Sequence, residues 1–348
     1  MLFPPAMKRI LPTFLILLAA ITLPAQQYYF TVDERQPAER PLLHGAQRIL
    51  VVNNTVTQPE DFGHSNAEDG TMLSGTSVNL ADAALRCLFA ATQTMDDSGE
   101  YLQVELMDIS QNKSRNFYSR SPMTVVDEER LCAEYEADAL LILNHLVLYD
   151  MRECFPVDGD RYYAYLQACS QTHWTVHHAG KTQDAVFTTA DTLLWEMDSF
   201  YSRTDALAGL PDRHDALLYL AQQIGTDVGV SLTPQWLPAT HYLYNNPDAD
   251  IQRGMRAFQR KLWEEAIAAW QQASDNGDKK ISAVAVADMA VAAEMMGDYT
   301  AALNYANRAV RLFGDWKNTD GRQQQVNMRY YIDHLLQRQS AESALSTD

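Results

Sequence analysis

The stretch at 295–310, MMGDYTAALNYANRAV, holds a Gly-Asp pair followed by alanines at helical spacing. Gly297-Asp298 punctuates the chain as a turn does, and Ala302, Ala306 and Ala309 share one face of the helix that follows. The spacing recurs 36 residues upstream, where WEEAIAAWQQAS puts Ala266, Trp270 and Ala273 at the equivalent positions. A small residue stands twelve places before each leading alanine, Gly254 in one case and Ala290 in the other. Small side chains there let two helices approach closely, so the pattern predicts two consecutive helical hairpins. Asp250 is the expected N-cap of the first helix.

This pattern resembles the tetratricopeptide repeat, a paired-helix unit of about 34 residues. The resemblance covers residues 248–314, with VNMRYYIDHLLQRQ (326–339) as a capping helix and a disordered tail over 340–348. Ala257 and Ala293 depart from the family's usual aromatic, and Asp278 and Gly314 from its closing proline. The resemblance implies a surface that docks another protein. Two repeats are fewer than the three or more that usually stand alone, so these helices need a neighbour to pack against.

Upstream, the periodicity changes. RILVVNN (48–54), YLQVEL (101–106) and DALLILNHLVLYD (138–150) read as apolar strands. VNLADAALRCLFAATQ and DEERLCAEYEA (127–137) read as the helices between them, the second with acids at its positive dipole end. Alternating segments from Arg161 to Glu196 extend the sheet in antiparallel fashion, and DALLYLAQQIGTDVGVSL (215–232) adds a helix. In that helix Gly225 and Gly229 are each expected to cost about 1 kcal/mol relative to alanine. The fold class expected is α+β: an α/β layer domain with a mixed sheet over 26–240, then a helical repeat-like domain over 241–339.

The N-terminus reads as a signal peptide over 1–25. Lys8 and Arg9 precede ILPTFLILLAAITLPA, a run too short and wrongly flanked to span a membrane. With no cysteine at the cleavage region, the expectation is an exported periplasmic or envelope-associated protein without an encoded lipid anchor. Charge is uneven. Residues 26–240 carry 31 Asp+Glu against 13 Lys+Arg, and 241–348 carry 14 against 12. A chain of net charge −18 lacks the basic face that nucleic acid requires. Of the four cysteines, Cys154 and Cys169 flank FPVDGDRYYAYLQA and could staple a hairpin, whereas Cys87 and Cys132 fall on helices; free thiols and disulfides both fit.

Catalytic signatures are lacking: there is no G-x-S-x-G, no G-x-G-x-x-G and no Walker loop. In THWTVHH (172–178), His173 and His177 point to one face of an extended segment and His178 to the other. No neighbouring spacing completes a four-ligand metal site, so these histidines read as a solvated strand face, and no metal or cofactor is expected. NNT (53–55) formally fits a glycosylation acceptor. Tyr28, Tyr29 and Phe30, with Trp263, Trp270, Tyr299 and Tyr305, are aromatics for packing or for a docking surface.

Several stretches together resemble an uncharacterised family of exported Bacteroidota proteins, many of them lipoproteins. These are VDERQPAERPLLHGAQRILVVNNT, EADALLILNHLVLYD, DTLLWE and LTPQW. The β-α-β-α-β order is also similar to envelope domains of the curli-secretion and TolB amino-terminal type, a likeness of fold alone. The resulting expectation is an adaptor, without catalysis, that binds another envelope protein. The alternatives are an envelope hydrolase using acids in a cleft of the α/β domain, and a small-ligand or glycan-binding module.

Overall fold

A computed structural model describes residues 26–73, 75–157, 159, 161–275 and 278–345. The expected signal peptide lies outside the described residues. Two compact units emerge: one holds Asp33–Pro238 and the described residues from Ser340 on, the other the described residues up to Val32 and Ala239–Gln339.

The chain opens with β1 (Gln26–Gln36), β2 (Arg48–Asn53), β3 (His64–Glu68), β4 (Thr71–Met72) and α1 (Ala83–Asp97). It continues through β5 (Gln103–Met107), α2 (Val125–Tyr135), β6 (Ala139–Pro156), β7 (Tyr162–His178) and β8 (Ala185–Ser199). α3 (Arg203–Ala208), α4 (Arg213–Leu232) and β9 (Gln235–Asn245) follow. In the α/β unit, β2 is flanked by β5 and β6, all three parallel, with Val51 opposite both Leu106 and Leu141. β3 takes over β6's edge beyond β2, also in parallel, and β7 and β8 add antiparallel strands on the other side.

Strand alternation sorts the core into two faces. Ile49, Val51 and Leu141 pack with Cys87 and Leu88 of α1 and with Leu217, Leu220 and Ile224 of α4. Leu50, Val52 and Ile142 pack instead with Leu131 and Cys132 of α2. Helices thus cover both faces of the parallel strands, which is why β2 is apolar throughout rather than alternating.

Of the two readings left open for the cysteines, the geometry carries the free thiols. All four cysteines are free. The hairpin exists, but its register sets Cys154 opposite Ala164 and Cys169 opposite Tyr149. Five residue steps at about 3.4 Å each separate the two thiols along the ladder. Cys87 and Cys132 lie on opposite faces of the sheet and cannot meet either.

The second unit is the C-terminal run of helices, α5 (Ala249–Gln259), α6 (Trp263–Asp275), α7 (Lys279–Met295), α8 (Tyr299–Gly314) and α9 (Thr319–Leu345). α9 continues to Leu345, so a disordered tail does not begin at 340. Ala266, Trp270, Ala273, Ala290, Ala302, Ala306 and Ala309 are all fully buried. Gly254 abuts the Trp270 indole, and Trp270 Nε1 donates to the Ile251 carbonyl at 3.2 Å. Gly297 takes a φ of +75°, and Lys261, 36 residues earlier, takes +60°. Matching backbone hydrogen bonds follow, Leu262 N to Ala257 O and Asp298 N to Ala293 O, both 3.0 Å. The N-cap is corrected by two residues: Asp248, not Asp250, accepts from the backbone N–H groups of Asp250 (2.9 Å) and Ile251 (3.1 Å).

Candidate functional site

In the helical unit, α7 is apolar almost all round and is buried from Ser282 to Glu294, as a central helix packed on every side must be. Two acids interrupt it. Asp288 accepts the Tyr244 N–H at 2.8 Å, and complete burial holds its carboxyl well above the usual carboxylate range. Glu294, one residue from the helix end, accepts from Tyr331 OH at 2.5 Å and from Arg338 Nη1 at 2.7 Å. These two acids fasten β9 and α9 respectively to α7.

Beside them opens a pocket of about 250 Å³, walled by Tyr242 and Tyr244 of β9, Ala287 and Val291 of α7, and Asn327 and Tyr331 of α9. Burial pushes the phenols of Tyr242 and Tyr244 up, so both stay protonated and keep a donor at neutral pH. Tyr244 OH donates to Gln324 Oε1 at 2.6 Å. Tyr330 projects at the rim, 71% exposed. Of the leading aromatics, Phe30 stacks on His241 at 5.6 Å and meets Phe258 edge-on at 5.2 Å.

The α/β unit offers a second pocket, about 370 Å³, at the carboxyl end of β2. After β2 the chain passes through β3, β4 and α1 to β5 on one side of β2, then crosses through α2 to β6 on the other. Ligands of open α/β sheets bind in the crevice at such a reversal. Asn54, Lys113, Thr124, Asp127 and Arg130 line it. A hydrogen bond from Lys113 (2.6 Å), then one from Thr124 (2.8 Å), holds the Asp127 carboxyl below its usual range. Asn53 and Asn54 are buried there, with Asn53 Nδ2 donating to the Asp108 carbonyl at 2.9 Å, so NNT presents no accessible acceptor.

The histidine expectation is also corrected, because THWTVHH is not a solvated face. His173 lies across from His145, ring centroids 6.2 Å apart, and His178 Nε2 is 2.7 Å from the Leu42 carbonyl on the other side. His177 is fully buried among three carboxylates. Its Nδ1 is 2.8 Å from Asp184 Oδ1 and 3.6 Å from Glu128 Oε2, and its Nε2 is 3.3 Å from Glu129 Oε1. Glu128 is 1% exposed, and burial, then the nearby Asp184 charge, pushes its carboxyl up to about 7. Elsewhere in the unit, buried Asp150 lies 2.5 Å from His64 Nδ1 and 2.6 Å from Arg213 Nε.

The comparisons with known proteins follow this division. A family model described as a domain of unknown function, DUF8603, matches residues 46–244, more than half of the chain. The chain belongs to the DUF8603 family. A second domain of unknown function, DUF6340, matches residues 252–337. No curated protein matches. The DUF8603 match spans the parallel strands, the crevice and the His177 cluster, and the DUF6340 match spans α5 to α9 almost end to end.

Glu128, Glu129 and Asp184 escaped sequence reasoning because tertiary structure brings them to His177 from α2 and from beyond β7. One part of the arrangement was readable. His177 and Asp184 bracket the AGKTQ turn, so a hairpin there sets them near each other.

Proposed function

We propose that this protein is an exported adaptor of the cell envelope, of the Bacteroidota type that its sequence resembles. Its α/β domain carries a tetratricopeptide-like helical array that docks an extended segment of another envelope protein. It works by binding, without catalysis. The observation that carries this reading is the tyrosine-walled pocket of the helical unit. It joins an apolar floor, Ala287 and Val291, to tyrosine rings at its wall, the combination that seats one apolar or aromatic anchor. The 36-residue echo in turn geometry at Lys261 and Gly297 supports the repeat reading.

The test is a photo-crosslinking residue in place of Tyr330, in intact cells. One discrete protein adduct is expected, and Asn327→Trp, which fills the pocket from its rim, should abolish it. No adduct at 330, or an adduct indifferent to Asn327→Trp, overturns the reading.

The crevice at the carboxyl end of β2 favours a second reading, a small polar ligand held by Lys113 and Arg130. A thermal-shift screen should then return stabilising compounds whose effect Arg130→Ala removes. A screen without such compounds refutes it.

A further inference from the structure

Three clusters among the described residues bring histidine and carboxylate ligand atoms within reach of one ion. Asp212, His214 and Asp215 are surface groups with nothing aimed between them. At His241 and His334, Glu294 is already taken up by Arg338 and Tyr331, and an arginine in contact competes directly with a cation. The cluster at His177 differs on both counts.

Three carboxylates surround one imidazole there, and no lysine or arginine pairs with any of them among the described residues. Glu128 Oε2 is buried without a hydrogen-bond partner while facing His177 Nδ1 and Asp184. A buried, unpartnered carboxylate oxygen aimed at other donors calls for a cation between them. The spacing suits one. Metal–ligand bonds of about 2.0–2.1 Å give ligand–ligand edges of about 3.0–3.4 Å; the Nδ1 edges, 2.8 Å to Asp184 and 3.6 Å to Glu128, lie just either side of that range, so side-chain shifts of a few tenths of an ångström would seat an ion.

The other side of the ring is prepared as well. With Nδ1 as ligand, Nε2 carries the proton and donates to Glu129 Oε1 at 3.3 Å. Glu129 is itself held by the Gly180 N–H at 2.8 Å. A carboxylate on the far nitrogen fixes tautomer and ring orientation, as at metal-bound histidines generally. One nitrogen with carboxylate oxygens selects a first-row divalent ion over calcium, which takes oxygen ligands.

We propose that His177 Nδ1, Glu128 and Asp184 bind a first-row divalent cation, zinc or manganese, with Glu129 as the positioning residue for the imidazole. The end of β7, the first turn of α2 and the residue before β8 present the ligands, so the site lies within the DUF8603 domain. It stands independently of the adaptor reading.

Calorimetric titration of the full chain, stripped with chelator, against ZnCl2 and MnCl2 tests it. One ion per chain is expected for at least one metal, with a raised melting temperature. Asp184→Asn, at the more exposed edge, should weaken binding at least 10-fold, and Glu129→Gln about 10-fold through ring positioning. Glu128→Gln should abolish binding in a chain whose circular dichroism is unchanged. Asp215→Asn should bind as the parent does. Absence of binding for both metals overturns the proposal, as does a stoichiometric site that Asp184→Asn and Glu128→Gln leave intact.

Discussion

Lys261 holds a φ of +60° in the turn between α5 and α6, as Gly297 holds +75° in the turn between α7 and α8, 36 residues later. A side chain in the left-handed region costs about 1–2 kcal/mol, and glycine's extra freedom in the unfolded chain takes back about 0.5–1. Lys261→Gly should therefore stabilise the helical unit by about 0.5–1 kcal/mol in urea denaturation; a loss of stability would mean that the Lys261 side chain contributes in its own right. Asp288 makes the opposite use of a polar residue, placing an acid in the middle of an apolar helix. Burial holds its carboxyl well above the ordinary range, so the folded chain keeps a proton that the unfolded chain releases near pH 4. Its contribution is present in full below that pH and declines as pH rises. Asp288→Asn retains an oxygen for the Tyr244 N–H and cannot ionise. Its stability should fall less steeply than the parent's between about pH 4 and pH 8, and parallel profiles from urea midpoints would count against this assignment.

At the scale of elements, α1 and α4 show how packing reverses a propensity argument. Gly225 and Gly229 look like weaknesses in a helix, sites where alanine should help. α1 passes so close that a Cβ at Gly225 would overlap the Cys87 carbonyl oxygen, and one at Gly229 would come within 2.7 Å of Thr94 Cβ. Gly225→Ala should thus destabilise by about 2–3 kcal/mol, since backbone has to move to admit it. A neutral or stabilising result in thermal melts would show that the two helices slide apart at little cost. β2, β6 and α1 were readable because β2 and the first half of β6 are apolar runs of strand length and α1 carries a clean helical period. β1, β3, β4 and β9 were not recognised. Their side chains neither alternate cleanly nor run apolar, and each is defined by the strand or helix it pairs with.

For the whole molecule, the free cysteines give a direct check on sheet register. Alkylation of the denatured, unreduced chain should modify all four cysteines, and peptide mapping should find no link between Cys154 and Cys169. A linked peptide would require the β6–β7 pairing to slip by several residues. The division into units likewise follows contacts rather than chain order. Residues 26–32 belong with the helices because Phe30 packs on Phe258 and His241, although more than 200 residues of sequence lie between them.

Local physics alone sufficed for β2, β5, β6 and the helices α1, α2 and α4, for the 36-residue echo and for the turn at Gly297, because those depend on apolar runs, period, small residues and glycine within a few turns of chain. Tertiary structure alone decided the cysteine register, the reversal at Gly225, the tyrosine pocket and the carboxylates around His177. Each of these depends on which distant segments share one face, and a buried charge or a missing Cβ has physical meaning only against the atoms packed beside it.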